Sequence, residues 1–346
     1  MLPGLLRGDV LRDTKAPNLR RLIEGSRLIG FSLPDVETPE AIWLGLSPVE
    51  GQLRQGPLTV SALGFDPPAR SIHFHVTPLS TDGSSMTPLE HAIGEADLRT
   101  LFGEAKKLNG KLLTLLQGED RDHALVLEGL GDLGTNPPEP GGQIREHWPN
   151  GDFEGLLRRF IDDSVNLLSE LELNQRRIDE GLQPINLLWP WGHGVRLPVP
   201  NLALKRGVAA EVFGPSLRLA GLARLAGYRP DRASFGGALR TKWEALGKKL
   251  SRSDAALAVF DLAALTDEEA AWSLERIDQE ALGPVLDALI AEPRGFTLVA
   301  TSGDSGLALQ WVGGASSGDL PFDERAFEER RLPRLDAWSI LASALG

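Results

Sequence analysis

Apolar residues recur at helical spacing in some stretches of the chain and in unbroken or alternating runs in others. From residue 16, Leu19, Leu22 and Ile23 share one face of a helix that ends near Gly25. Residues 28–33 form a short apolar run closed by Pro34 and Asp35, the pattern of a buried strand. Thr38 followed by Pro39 opens a helix to Leu46, because a hydroxyl caps free N–H groups and proline loses nothing in a first turn. Gly51, Gly56-Pro57, Gly64 and Asp66-Pro67-Pro68 then read as a passage from one domain into another.

Residues 71–77 alternate and are rich in β-formers, which predicts a strand; 97–108 reads as a helix. Two further strands, 111–117 and 123–128, flank the charged turn Glu119-Asp120-Arg121-Asp122. Residues 131–151 are turn-rich, and 153–180 reads as one long amphipathic helix ending at Gly181. Beyond Pro184, strands at 185–191, 255–262, 296–301 and 307–312 alternate with helices at 215–226, 241–250, 266–291 and 335–345. Apolar runs without a polar face imply a central sheet covered by helices. The class is α/β, with a discontinuous core of residues 1–70 and 185–346 and an inserted α+β domain, 71–184.

Composition narrows the chemistry. With 36 Lys and Arg against 48 Asp and Glu, the net charge of −12 argues against a nucleic-acid or anionic-membrane partner, which would want a basic face. The absence of cysteine rules out disulfides, thiolate metal sites and a thiol nucleophile. No run approaches the roughly 18 apolar residues of a membrane helix, and residues 1–10 lack a signal-peptide pattern, so the expected location is cytoplasmic.

The most distinctive stretch is Ile185-Asn-Leu-Leu-Trp-Pro-Trp-Gly-His-Gly194. Together with Lys205-Arg-Gly-Val-Ala-Ala and the helix end from Gly221 to Gly227, it resembles the archaeal-type cofactor-independent phosphoglycerate mutases of the alkaline phosphatase superfamily. Three further stretches resemble that family in the same order: Ala16-Pro-Asn-Leu-Arg-Arg-Leu, Gln55-Gly-Pro-Leu-Thr-Val-Ser-Ala-Leu-Gly64 and Glu275-Arg-Ile-Asp-Gln-Glu-Ala-Leu-Gly-Pro284. The resemblance implies an alkaline-phosphatase-like, mostly parallel sheet with helices on both faces. It also implies a glycolysis-related reaction, interconversion of 2- and 3-phosphoglycerate through a phosphoserine enzyme with two divalent metals.

Such a reaction needs about six Asp and His ligands around metals about 4 Å apart, and a hydroxyl nucleophile. The family's first ligand is an Asp-Gly pair closing the opening strand; residues 1–10 do not read as that strand, and neither Asp9 nor Asp13 precedes glycine. Thr38 stands where the family has its nucleophilic serine, and also reads as a simple helix cap. Asp267 matches a ligand position, but Trp272 occupies roughly the place of the ligand histidine, and Thr266 with Glu269 makes a capping box without any metal. Asp304 matches another ligand, again without its histidine. No histidine follows His193, so the family's late ligands are missing whatever the alignment.

Other polar groups remain. His73 and His75 point to one face of their strand, where the family carries substrate-contacting Arg and Asn. Arg176 and Arg177 lie near the family's substrate arginines, and also suit a helix C-terminus. His193, between two glycines, lies where backbone can approach a ligand. The expectation is a phosphoglycerate-mutase-like pseudoenzyme with no required cofactor, vestigial Asp267 and Asp304, and a phosphorylated small molecule or a protein as partner. The alternative is an active mutase or phosphatase with Thr38 and two divalent metals (Mn, Co, Mg or Zn) in a reduced site. A third reading is an interaction module using exposed tryptophans such as Trp148.

Overall fold

The computed structural model describes residues 2–3, 5, 14–32, 39–44, 46, 53–196, 198–207, 209–213, 216–231, 256–260, 262, 265–292, 296–302, 305–311 and 334–336. The chain divides into two compact units, Met1–Glu50 with Val199–Gly346, and Gly51–Pro198. The composition break suggests boundaries at 70/71 and 184/185. The contact division falls outside both, because Gln55–Ala62 and Leu187–Gly194 pack within the inserted unit.

The discontinuous unit is α/β. Its larger sheet runs Leu2–Pro3, Thr297–Ser302, Ser305–Trp311, Ser26–Ser32, Arg334–Asp336. Leu2 and Pro3 pair in parallel with Ala300 and Thr301, so a short opening strand does exist where the sequence predicts none. The two central ladders are antiparallel, and Arg334–Asp336 pairs in parallel with Gly30–Ser32. That last pairing replaces the first turn of the helix expected over 335–345; the remainder of that helix, and the one expected over 241–250, lie outside the described residues. A second, wholly parallel sheet joins Arg229–Asp231, Ala209–Phe213 and Ala256–Phe260.

Helix Pro17–Glu24 buries Leu19, Leu22 and Ile23 against Leu274, Ile277, Leu286, Leu298 and Phe260. Burying such side chains supplies most of the unit's stability, and truncating any one to alanine costs about 2–5 kcal/mol. The helix has no cap of its own, since Ala16 stands at its N-cap. The buried carboxylate of Asp278 substitutes for one, accepting from the backbone N–H of Leu19 at 2.6 Å and of Asn18 at 3.2 Å, and from the Asn18 amide at 3.1 Å. Burial raises the Asp278 pKa, and those same hydrogen bonds oppose the rise. Asp278 can reach because the helix expected over 266–291 is interrupted: Asp267–Ile277 passes through a π-turn, Asp278–Leu282, into Gly283–Ala291.

The inserted unit is built on one antiparallel sheet. Ser71–Thr81 lies at its centre, flanked by Asp122–Glu128 and Leu187–Gly194, with Leu113–Glu119 beyond the former and Met86–Thr87 pairing the far end. Phe74, Val76, Leu125 and Leu127 face helices Glu95–Ala105 and Glu154–Ser169 through Leu98, Leu101, Phe102, Leu157, Phe160 and Ile161. Cross-strand pairing puts His73 with Val126 and His75 with Ala124 on the other face. There helix Gln55–Ala62, which the glycine and proline signals hid, covers Ala124 and Val126 with Val60. Gly56 permits the contact: a Cβ there would stand 2.2 Å from the His73 carbonyl oxygen.

The single helix expected over 153–180 is two, Glu154–Ser169 and Glu172–Asp179, broken at extended Leu171. Buried Asn174 fixes the break. Its amide donates to the carbonyls of Leu168 at 2.7 Å and Ile185 at 2.9 Å, and its oxygen accepts from Ile185 N–H at 2.7 Å. Among the described residues, no helix is long and apolar enough to cross a membrane.

Candidate functional site

The polar face of the inserted sheet is where candidate side chains gather. Both strand histidines are buried there, His73 at 2% and His75 at 5% exposure. Their tautomers follow from proton counting. The Thr59 hydroxyl gives its one proton to the Gln55 carbonyl at 2.9 Å, so His75 donates through Nδ1 to Thr59 Oγ1 at 2.9 Å. Its Nε2 lies 4.0 Å from the Asp122 carboxylate. Ser71 likewise donates to the Pro68 carbonyl at 2.6 Å, so His73 donates through Nε2 to Ser71 Oγ at 2.9 Å. That leaves His73 Nδ1 as a buried acceptor with no hydrogen bond among the described residues. Burial, reinforced by the nearby charge of Arg196, pushes the His73 pKa down to about 4, so at neutral pH the ring is uncharged.

Trp191 of strand Leu187–Gly194 completes this face, whereas His193 points to the opposite one, its ring 6.4 Å from that of Phe74. Trp191 stands edge-on to His75 at 5.1 Å between ring centroids and donates its indole N–H to Thr77 Oγ1 at 2.8 Å. Gly192 takes a left-handed backbone, φ +62°, which glycine adopts without strain. His193 is half-buried, its Nδ1 sharing a hydrogen bond with Thr135 Oγ1 at 2.8 Å. Burial lowers its pKa, Arg54 lowers it further, and Asp132 opposes both. Gly194 pairs with His73, and a Cβ on it would meet the Arg54 side chain at 3.0 Å. Arg196, two residues on, pairs with Asp66 at 2.9 Å. The structure thus places His73 and His75 on one face, with Thr59, Trp191, Arg54 and Arg196 beside it, and His193 on the opposite face of the adjoining strand. Sequence patterning missed those four, since strand pairing and the packing of helix Gln55–Ala62 place them there.

Arg176 and Arg177 are placed elsewhere. Arg176 binds Asp97 at 2.6 Å, and buried Arg177 binds the same carboxylate at 2.9 Å and the Gln183 carbonyl at 2.9 Å. Both forks therefore hold helix Glu172–Asp179 to helix Glu95–Ala105. His123 is a packing residue: its Nδ1 accepts from Gly118 N–H at 2.9 Å, its Nε2 donates to the Asp120 carbonyl at 2.8 Å, and burial pushes its pKa down to about 4. Trp148 is half-buried beneath the Arg158 guanidinium, 5.1 Å from its ring.

In the discontinuous unit, Asp267 is the exposed first residue of its helix, and Thr266 and Glu269 form the expected reciprocal cap. Trp272 is 47% exposed. Thr38 and Asp304 lie outside the described residues. Among the described residues, no three His, Asp or Glu side chains gather in a way that could hold a metal ion.

No profile of a known protein family matches the chain. Individual relatives do. The 2,3-bisphosphoglycerate-independent phosphoglycerate mutase of Methanothrix thermoacetophila is 28% identical over 182 residues, 48% of this chain and 45% of that protein. A second enzyme of that name, from Methanothermobacter thermautotrophicus, is 24% identical over 267 residues, 71% of this chain and 65% of that protein. The chain is similar in sequence to these archaeal phosphoglycerate mutases. The matched stretches span less than two thirds of either relative. Solved structures extend the likeness in fold. The cofactor-independent phosphoglycerate mutase of Thermoplasma acidophilum superposes with a TM-score of 0.65 at 21% identity, covering 100% of this chain and 98% of that one. A Pyrococcus horikoshii protein gives 0.71 at 19% identity, covering 97% and 90%. The chain thus shares the α/β fold of these two structures, and all its histidines, 73, 75, 91, 123, 147 and 193, fall within Gly51–Pro198.

Proposed function

We propose that this chain is a cytoplasmic ligand-binding or regulatory protein that has lost the interconversion of 2- and 3-phosphoglycerate. One observation carries the reading: the discontinuous unit contains no histidine. The resemblance puts the metal ligands of the reaction in that unit, several of them imidazoles, and neither Asp267 nor Asp304 can replace them alone. Losing ligands outright costs far more than the 10–100-fold typical of a disturbed supporting contact. The ligand surface would be the end of strand Leu187–Gly194, where His193 is half-buried and Arg54 and Arg196 offer positive charge to a phosphorylated small molecule.

The deciding measurement is a coupled assay of 3-phosphoglycerate conversion by pure protein with Mn²⁺ or Co²⁺ added. We expect no turnover above the background without enzyme; robust conversion sinks the reading. Isothermal titration with 3-phosphoglycerate, repeated on Arg54→Ala, then tests the ligand surface.

A second reading has the support of the relatives' names and of the near-complete fold match. It keeps a mutase or phosphatase activity with Thr38 as nucleophile and Asp267 and Asp304 as metal ligands. Phosphatase activity that disappears in Thr38→Ala would establish it in place of the first.

A further inference from the structure

Two Asn-Gly pairs occur in the chain, Asn109-Gly110 and Asn150-Gly151. Glycine has no side chain to shield its amide nitrogen, which can then attack the neighbouring asparagine's side-chain carbonyl carbon. Both asparagines are exposed, but they are held differently. Asn109 Oδ1 accepts from Leu115 N–H at 2.6 Å, and Gly110 N–H donates to the Leu113 carbonyl at 3.0 Å, so electrophile and nucleophile are both tied down. The Asn150 side chain makes no hydrogen bond among the described residues. It lies over Gly134, where a Cβ would stand only 2.4 Å from its Oδ1. Gly151 N–H points at the Glu154 carboxylate, 3.3 Å away. The ladder joining Asn150–Gly151 to Leu133–Gly134 is two residues long, so its opening is a local event.

We propose that Asn150-Gly151 is a site of spontaneous covalent change, at which asparagine becomes aspartate and isoaspartate. The Gly151 nitrogen bonds to Asn150 Cγ and its proton passes to Glu154. Glu154 hands that proton to the amide nitrogen, the bond from Cγ to that nitrogen breaks, ammonia leaves, and a five-membered imide remains. Water then adds to one imide carbonyl or the other; one opening gives aspartate, the other moves the main chain onto the former side chain as isoaspartate. Either product disturbs the ladder that presents the next two residues. Thr135 holds His193, and the Asn136 carbonyl accepts the Trp189 indole N–H at 2.9 Å. Ageing of the protein would therefore loosen the support of His193 and Trp189.

The intact protein is incubated in mildly alkaline buffer and followed by peptide mapping and by an isoaspartate methyl-acceptor assay. Conversion at Asn150 should run roughly tenfold or more ahead of Asn109, the weight of the two hydrogen bonds that hold the latter. Asn150→Gln, whose longer side chain would have to close a larger ring, should abolish the early methyl acceptor, and Glu154→Gln should slow it without shifting the thermal midpoint. Equal rates at the two asparagines, or a methyl acceptor that persists in Asn150→Gln, would overturn the site. An unchanged rate in Glu154→Gln would overturn the role given to that carboxylate.

Discussion

His75 gives its Nδ1 proton to Thr59, a residue 16 positions earlier on the helix that roofs its strand. The Thr59 hydroxyl is fully buried and already donates to Gln55. Thr59→Val keeps the shape of the side chain but removes the hydroxyl that accepts from the buried His75 Nδ1–H. We expect a loss of about 1–3 kcal/mol from the inserted unit, read as a lower urea midpoint, whereas Thr59→Ser should recover most of it. Equal midpoints for Val and Ser would mean that the hydrogen bond carries no weight.

Asp97 joins two arginines of unlike burial: the Arg177 side chain is 5% exposed and that of Arg176 is 55%. Asp97→Ala strands a buried guanidinium and should cost about 2–3 kcal/mol, toward the lower end for a broken buried pair because Asp97 is partly solvated. Arg176→Ala should cost under about 1 kcal/mol. If both arginines instead serve a phosphorylated ligand, Arg176→Ala would weaken its binding while leaving stability unchanged, and titration calorimetry separates the two outcomes.

Acid should unfold the inserted unit through His73 and His123. Their folded pKa values lie at about 4 against an ordinary 6.5, so in that window the unfolded chain binds protons that the folded unit refuses. Stability is then complete above pH 6.5 and falls as pH drops toward 4, by on the order of 3 kcal/mol for each ring. Urea midpoints measured across that range should show the slope, and His123→Gln should flatten it by about half. A midpoint independent of pH would contradict the burial of these rings.

Replacing Asp278 with alanine removes the remote cap from helix Pro17–Glu24. The expected loss is about 1–2 kcal/mol, like that of an N-cap residue. Hydrogen exchange should speed up first at the Asn18 and Leu19 amides; an unaltered pattern there would show that the helix start is held by packing alone.

The sequence made the central features legible where local pattern and tertiary role agree. Alternation announced strand Ser71–Thr81, and the same alternation set His73 and His75 on one face. Helix Gln55–Ala62 stayed hidden because Gly56-Pro57 carries the signature of a linker. Proline is harmless in a first turn, where its missing N–H has no partner to lose, and Gly56 serves a close packing contact instead of a bend. The break at Leu171 left no local mark either, since the apolar period runs through it. Its cause is Asn174 reaching Ile185, a contact no window of sequence contains. At the site, the histidine content could be read without any structure, whereas Trp191 joins the face through strand register and Arg54 through the start of helix Gln55–Ala62. For Arg176 and Arg177 no window of sequence contains Asp97, some eighty positions away, which binds both.

The π-turn Asp278–Leu282 also fixes how the chain can change in length. It holds one residue more than an α-helical turn would, so the extra residue is taken up there without turning the residues that follow. Removing a single residue within it would leave an ordinary α-turn, and Val285, Leu286 and Leu289 would still face the core they now fill. A one-codon deletion is therefore expected to be better tolerated at this point than in the regular helix on either side, where it would turn the following residues by roughly 100° about the axis.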